Sequence, residues 1–340
     1  MVKNSKNIRV RKRSPEKNWV PDSEQRYAAI DIGSNGVRLL LSRVMTTGEH
    51  CVFAKESLVR MPIRLGADVF KNQKISALKE EQLTSTMIAF SHLLKAYLPF
   101  DYRACATSAM REAENGLSIA ERIQQESGLD LRIIDGGEEA EMILASHIAE
   151  TLTPGYAYLY IDVGGGSTEL TYFANNERLV SKSFAIGTVR LLNEQVGSSS
   201  WRAMKAWVIK KRPKNVMVNA IGSGGNMNKI FRLSSSKNDE PVSYNEVLRI
   251  DKLLTDHNME ERVRLLHLRP DRADVIIHAS NIFRSIMMWA EIDAIFVPQF
   301  GLADGLVHFM HDKFLSEQPR VIPSKESIYQ SSVKLSLPSA

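Results

Sequence analysis

Ile30-Asp31-Ile32-Gly33-Ser34-Asn35-Gly36 and Ile161-Asp162-Val163-Gly164-Gly165-Gly166-Ser167 are two copies of one pattern, 131 residues apart. In each, an apolar run closes on Asp-X-Gly and leads into a second apolar stretch, which reads as strand, tight turn, strand. The period is too long for a solenoid, whose units run to about 20–50 residues. It is the spacing of two duplicated domains. Facing one another across a cleft, they present two clamps to one ligand.

The turn residues suit an anion. Glycines let backbone N–H groups converge without Cβ interference, making a nest for phosphate oxygens. Gly33, Ser34 and Asn35 have that character in the first copy, as do Gly164, Gly165, Gly166, Ser167 and Thr168 in the second. Asp31 and Asp162 cannot themselves favour phosphate, but each makes sense as the holder of a hydrated Mg²⁺ that bridges to phosphate oxygens. One copy alone is explained as well by an Asp organising its own turn; the duplication favours phosphate. A third turn, Gly222-Ser223-Gly224-Gly225-Asn226, follows an apolar strand and precedes a helix. Gly222, Gly224 and Gly225 are therefore candidates for a further phosphate grip at a helix N-terminus.

Outward from these turns the chain alternates strands and helices. Val37–Val44 and Cys51–Val59 continue the first strand as antiparallel neighbours, and Leu83, Met87, Phe90, Leu94 and Tyr97 recur at helical spacing. A strand at Tyr102–Ala106, a helix over Leu117–Glu126 and a strand at Leu131–Ile134 follow, and Gly136-Gly137 opens a helix over Glu138–Glu150. Further strands are expected at Tyr156–Val163, Thr168–Phe173, Val180–Phe184, Val216–Ala220 and Ala294–Val297. Helices are expected at Met227–Leu233, Ala273–Trp289 and Leu302–Phe314. The α/β pattern divides into a disordered tail over 1–24, a first domain over 25–135, a second over 136–318 and a loose tail over 319–340.

Hydrolysis requires an activated water, and Glu or Asp is the usual base. Glu138, Glu139 and Glu141 lie at the start of the helix after Gly136-Gly137, and Glu169 follows the second loop. The helix dipole alone favours acids in a first turn. Apolar residues on nearly every side of this helix argue instead that it is buried and that an acid in it needs a reason. Periodicity does not choose among the three.

Composition sets the wider bounds. With 44% hydrophobic and 24% charged residues among 340, the chain is globular. No apolar run approaches the roughly 20 residues that span a bilayer, so no membrane is expected, and a cytoplasmic enzyme is the default. Cys51 and Cys105 are the only cysteines and the eight histidines are scattered, which leaves no disulfide framework or thiolate metal site. The net charge of +5 belongs to the tail: residues 1–17 hold seven cations against Glu16, a balance of +6, and the rest carries −1. A nucleic-acid partner is not expected of such a body.

The chain resembles the exopolyphosphatase / guanosine pentaphosphate phosphohydrolase (Ppx/GppA) family. The matching segments include Asp31–Asn35, Ala106-Thr-Ser-Ala-Met-Arg111, Gly137-Glu-Glu-Ala140, Asp162–Glu169, Ile186–Leu191, Gly222–Gly225, Arg272–Val275 and Gly301–Gly305, in family order over about residues 26–312. The resemblance implies the actin-like (ASKHA, ribonuclease H-like) two-domain fold with a central cleft, Mg²⁺, and removal of a terminal phosphate from inorganic polyphosphate or from guanosine pentaphosphate. It also implies that Glu139 is the catalytic base, that Glu169 helps position the water or metal, and that Arg111 is a phosphate ligand. A homodimer is suggested on this basis alone.

Departures from the family pattern are Gly36 in place of Ser or Thr, Glu141 in place of Arg, Asn226 in place of Thr, and Val297-Pro-Gln-Phe300 in place of a Ser-Asp segment. Relative to the longer members, a C-terminal helical HD-type region is expected to be missing, which bears on grip over long chains. An exopolyphosphatase is the leading expectation. A guanosine pentaphosphate 5′-phosphohydrolase uses the same site, and a weakly catalytic sensor of guanosine penta- or tetraphosphate is motivated by Gly36 and Glu141. A sugar or acetate kinase would need an acceptor pocket rather than a water-activating acid. The Arg202, Lys205, Lys210, Lys211, Arg212, Lys214 run reads as a solvated helix face.

Overall fold

A computed structural model describes residues 23–47, 50–144, 155–174, 177–236, 240–298 and 300–317. The expected tails, apart from Ser23 and Glu24, which begin the first strand, and the end of the helix expected over Glu138–Glu150 lie outside these residues. The first half opens with an antiparallel meander, β1 (Ser23–Ile32), β2 (Val37–Thr47) and β3 (His50–Met61). α1 (Leu65–Asn72) and α2 (Ala77–Tyr97) lead to β4 (Asp101–Ala106), which pairs parallel with β1. α3 (Ser108–Glu112) and α4 (Gly116–Ser127) then lead to β5 (Leu131–Ile133), completing a sheet of order β3-β2-β1-β4-β5.

The second half repeats this plan. After α5 (Gly136–Leu144), the hairpins β6 (Ala157–Val163), β7 (Thr168–Ala174) and β8 (Glu177–Phe184) form the second meander. α6 (Thr188–Leu192) and α7 (Ser198–Lys211) lead to β9 (Val218–Ser223), parallel to β6. There follow α8 (Gly224–Leu233), β10 (Val242–Ser243), α9 (Tyr244–Asp256), α10 (Met259–Arg264), α11 (Pro270–Ala273), α12 (Ile276–Trp289), β11 (Ala294–Phe296) and α13 (Leu302–Glu317). The sheet order is β10-β11-β9-β6-β7-β8, so both sheets grow outward from the strand that ends in Asp-X-Gly. This duplicated α/β architecture is the one the repeat implies.

From Tyr27 in β1 and Ala157 in β6 the central strands are apolar up to their aspartates because both faces are covered. In β1, Ala28, Ile30 and Ile32 enter the core under α2 and α4, while Tyr27 and Ala29 pack with Leu302, Leu306 and Met310 of α13. That packing revises the division expected at residue 136. α13, expected in the second domain, lies on the first sheet, and Met142 of α5 joins the same cluster. The helix expected over Ala273–Trp289 begins at Ile276, because Asp274 and Val275 separate it from the short α11.

Candidate functional site

The turns of the two copies close identically. Gly33 N–H donates to the Gly36 carbonyl at 3.1 Å, and Gly164 N–H donates to the Ser167 carbonyl at 2.9 Å. Gly165 lets the loops meet, since a Cβ there would fall 2.9 Å from the Ser34 Cβ. Between them lies a cavity of about 100 Å³ lined by Asp31, Gly33, Ser34 and Asn35 from one side and Asp162, Gly164, Gly165 and Ser167 from the other. Glu139, Glu169, Gly224 and Gly225 line it too.

Three of the expected turn residues stand behind the cavity. Thr168 gives its hydroxyl to the Ile186 carbonyl at 2.6 Å. Gly222 lies inside β9, covered by Ile295 and Met227. Gly166 faces Phe70, and its carbonyl accepts from Arg190 at 2.7 Å.

The three acids of α5 part company. Asp135 Oδ1 accepts from Gly137 N (2.7 Å) and Glu138 N (2.9 Å), while Glu138 reaches back to Asp135 N at 3.2 Å, a reciprocal cap. Glu138 also pairs with Arg132. Glu141 is exposed and pairs with Arg178 of β8 at 3.1 Å. Its charge therefore does not face the phosphate loops. Glu139 alone turns into the cleft. Although part of its surface reaches solvent, burial of its carboxylate pushes its pKa well up, and Glu169, Asp162 and Asp31 add to this while Arg111 opposes it. Glu169 accepts from Ser183 Oγ at 3.0 Å and is pushed up to about 7, first by burial and then by Asp162.

The two aspartates are unequal. Asp31 is ion-paired with Arg38 at 2.8 Å, and burial raises its pKa against that pairing. Asp162 is also raised by burial, its hydrogen bond coming from Ser223, and its Oδ1 would lie 2.8 Å from a Cβ at Gly224. Gly224 has φ +86, a left-handed conformation that a side chain would strain. Four carboxylates thus share one cleft, each raised by burial. Among the described residues, no group of three or more acids, histidines or cysteines is arranged as a metal cage. The donor set fits a hydrated Mg²⁺, which keeps its waters and needs one or two carboxylates plus substrate oxygens.

Arg111 donates to the Ile134 carbonyl at 2.7 Å, behind Glu139, and its charge acts on Glu139 and Glu169. The cations that line the cavity are Arg38, Arg60 and Arg272, which sequence reasoning missed. Burial, with Arg38 and Arg60 nearby, pulls Arg272 down to about 10. Arg60 pairs with Asp271 at 2.5 Å, and its guanidinium fills the space beside Gly36 where a side chain would go. Asn226 accepts from Arg272 at 3.2 Å. A signal for Arg38 was present: seven residues after each repeated Asp stand Arg38 and Glu169, in register across their hairpins.

A family model described as the Ppx/GppA phosphatase family matches residues 49–314. The chain belongs to that family. This Ppx/GppA chain is 25% identical, over 91% of its length, to a Vibrio atlanticus protein named guanosine-5′-triphosphate,3′-diphosphate pyrophosphatase, and spans 64% of that protein. To exopolyphosphatase 2 of Mycobacterium tuberculosis it is 26% identical, over 83% of this chain and 97% of the other. An exopolyphosphatase structure from Cytophaga hutchinsonii superposes with a TM-score of 0.74 at 22% identity, covering 85% and 98% of the two chains. The Ppx/GppA member from Aquifex aeolicus gives 0.68 at 22%, covering 87% and 100%. At those identities the structural likeness is one of fold.

Proposed function

We propose that the chain is a phosphoanhydride hydrolase, specifically an exopolyphosphatase that releases the terminal phosphate of inorganic polyphosphate. The observation that carries this is the parting of three neighbouring acids: Glu138 and Glu141 are tied to Arg132 and Arg178, while Glu139 faces the glycine loops. The printed names of the relatives, an exopolyphosphatase and a guanosine pentaphosphate pyrophosphatase, support the class.

In this reading the loop N–H groups and the Ser34 and Ser167 hydroxyls hold the terminal phosphoryl group. Glu139 takes the proton of the attacking water, its basicity raised by burial and by the neighbouring carboxylates. Glu169, fixed by Ser183, orients that water. Arg38, Arg60 and Arg272 meet the charge on the equatorial and bridging oxygens, the main task of phosphoryl-transfer catalysis. Arg111 holds the carboxylate pair in tolerable balance from behind. Mg²⁺ held through water by Asp162 and Asp31 would supply charge neutralisation at phosphate oxygens.

A second cavity of about 330 Å³ continues from the cleft past Arg38, Arg60 and Arg272 and adds Lys55, Lys229, Arg232 and Arg269. These cations, interleaved with Leu40, Leu58, Leu268 and Phe300, would follow a phosphate chain longer than that of a nucleotide, and on this reading polyphosphate is the substrate. The sensor reading loses one of its two motives, since Glu141 lies outside the cleft. Turnover of polyphosphate and guanosine pentaphosphate, each with Mg²⁺ and with EDTA, tests the proposal. We expect phosphate release from polyphosphate with the higher kcat/KM, abolished by EDTA. A higher kcat/KM for the nucleotide would reassign the substrate, and no turnover of either would end the hydrolase reading.

A further inference from the structure

Thr188, the first residue of α6, is 1% exposed and lines the same cavity as Glu139, Glu169 and Ser34. Its N–H donates to the Gly164 carbonyl at 3.0 Å, so it rides on the second glycine loop. Its hydroxyl, however, is buried with no hydrogen-bond partner among the described residues. The neighbouring hydroxyls are engaged: Ser34 with Ser108 at 2.8 Å, Thr168 with the Ile186 carbonyl at 2.6 Å, and Ser183 with Glu169 at 3.0 Å. An unpaired hydroxyl in a protein interior is destabilising, and valine would fill the same space without that penalty. The free protein therefore gains nothing from oxygen at this position.

We propose that Thr188 Oγ1 donates a hydrogen bond to a non-bridging oxygen of the terminal phosphoryl group, making it a substrate-contacting residue of the site. The inference rests on the phosphoanhydride reading above. At Gly36 the first loop has no side chain, and a Cβ there would meet the Arg60 guanidinium at 3.1 Å and the Met61 carbonyl at 3.2 Å. Thr188 lines the same cavity and supplies a donor from the second loop.

Orthophosphate affinity in Mg²⁺ buffer, measured by calorimetry, and phosphate release from polyphosphate should be compared for wild type, Thr188→Val and Thr188→Ser. We expect Thr188→Val to melt at or above the wild-type temperature, to bind orthophosphate about 10-fold more weakly and to lose about 10- to 100-fold in kcat, the range of a charge-assisted hydrogen bond. Thr188→Ser should recover both within a few-fold. Wild-type phosphate affinity in Thr188→Val overturns the proposal, as does absence of orthophosphate binding by wild type, or a lower melting temperature that Ser restores without restoring affinity. If wild type binds orthophosphate but cleaves no phosphoanhydride, the activity reading fails, and the affinity comparison still decides the Thr188 contact.

Discussion

Asp31 faces Arg38 across the first hairpin, and Asp162 faces Glu169 across the second. Duplication thus made two equal frames, and sequence divergence placed a cation opposite the aspartate in one and an acid opposite it in the other. Crowding acids in the cleft has a measurable cost. A raised carboxylate pKa lends stability that is fully present below the ordinary value near 4.5 and is lost as pH rises through about 7 for Glu169. The ligand-free protein should therefore melt lower at pH 8 than at pH 5.5. Glu169→Gln should flatten that slope and raise the pH 8 melting temperature by a few degrees, on the order of 2–4 °C per kcal/mol, while slowing turnover; thermal denaturation at the two pH values checks this. In wild type, kcat/KM should fall as pH drops below about 7, where the pair holds a proton. Asp31 and Asp162 could be read from the repeat and Glu169 from its place after the second loop, whereas Glu139 was singled out among the acids of α5 only by the family resemblance, not by periodicity. In the structure Arg132 and Arg178 each engage one neighbour of Glu139, and no periodicity encodes such pairings.

α5 points Glu139 into the cleft because Asp135 caps its first turn with two hydrogen bonds. Asp135→Ala should lower stability by about 1 kcal/mol and reduce kcat more than it raises KM, because Glu139 loses its fixed approach; denaturant melts with steady-state kinetics test this. The β9–α8 junction is held as tightly by Gly224. Gly224→Ala should cost roughly 1–2 kcal/mol from the positive φ alone, and its Cβ would press on Asp162; chemical denaturation measures the cost. The meanders and the long helices were legible because their apolar patterns are strong. α9 was legible and passed over, its Val247, Ile250 and Leu254 forming a stripe that periodicity could have found. The break between α11 and α12 was not, since Arg272-Ala-Asp-Val275 carries no glycine or proline to mark it.

The halves meet around the cleft through Arg60–Asp271 at 2.5 Å and Arg64–Asp274 at 2.7 Å, with Arg190–Glu112 as a further link. α13 returns to cover the first sheet, a contact between the chain's two ends that no local pattern announces. In the proposed reading, the cation-lined cavity leading from the cleft captures the polyanion electrostatically. Raising ionic strength from 0.05 to 0.5 M should therefore lower kcat/KM for polyphosphate severalfold, chiefly through KM, with a shallower dependence in a Lys229→Ala/Arg232→Ala variant. The central claim is that one acid of the three on α5 activates water between two phosphate clamps. The direct measurement is steady-state phosphate release from polyphosphate by Glu138→Gln, Glu139→Gln and Glu141→Gln, with polyphosphate binding followed in parallel. Glu139→Gln should lose about 10²–10⁴-fold in kcat while still binding substrate, and the other two should stay within about tenfold of wild type. Full turnover in Glu139→Gln, or an equal loss in all three, would contradict the account.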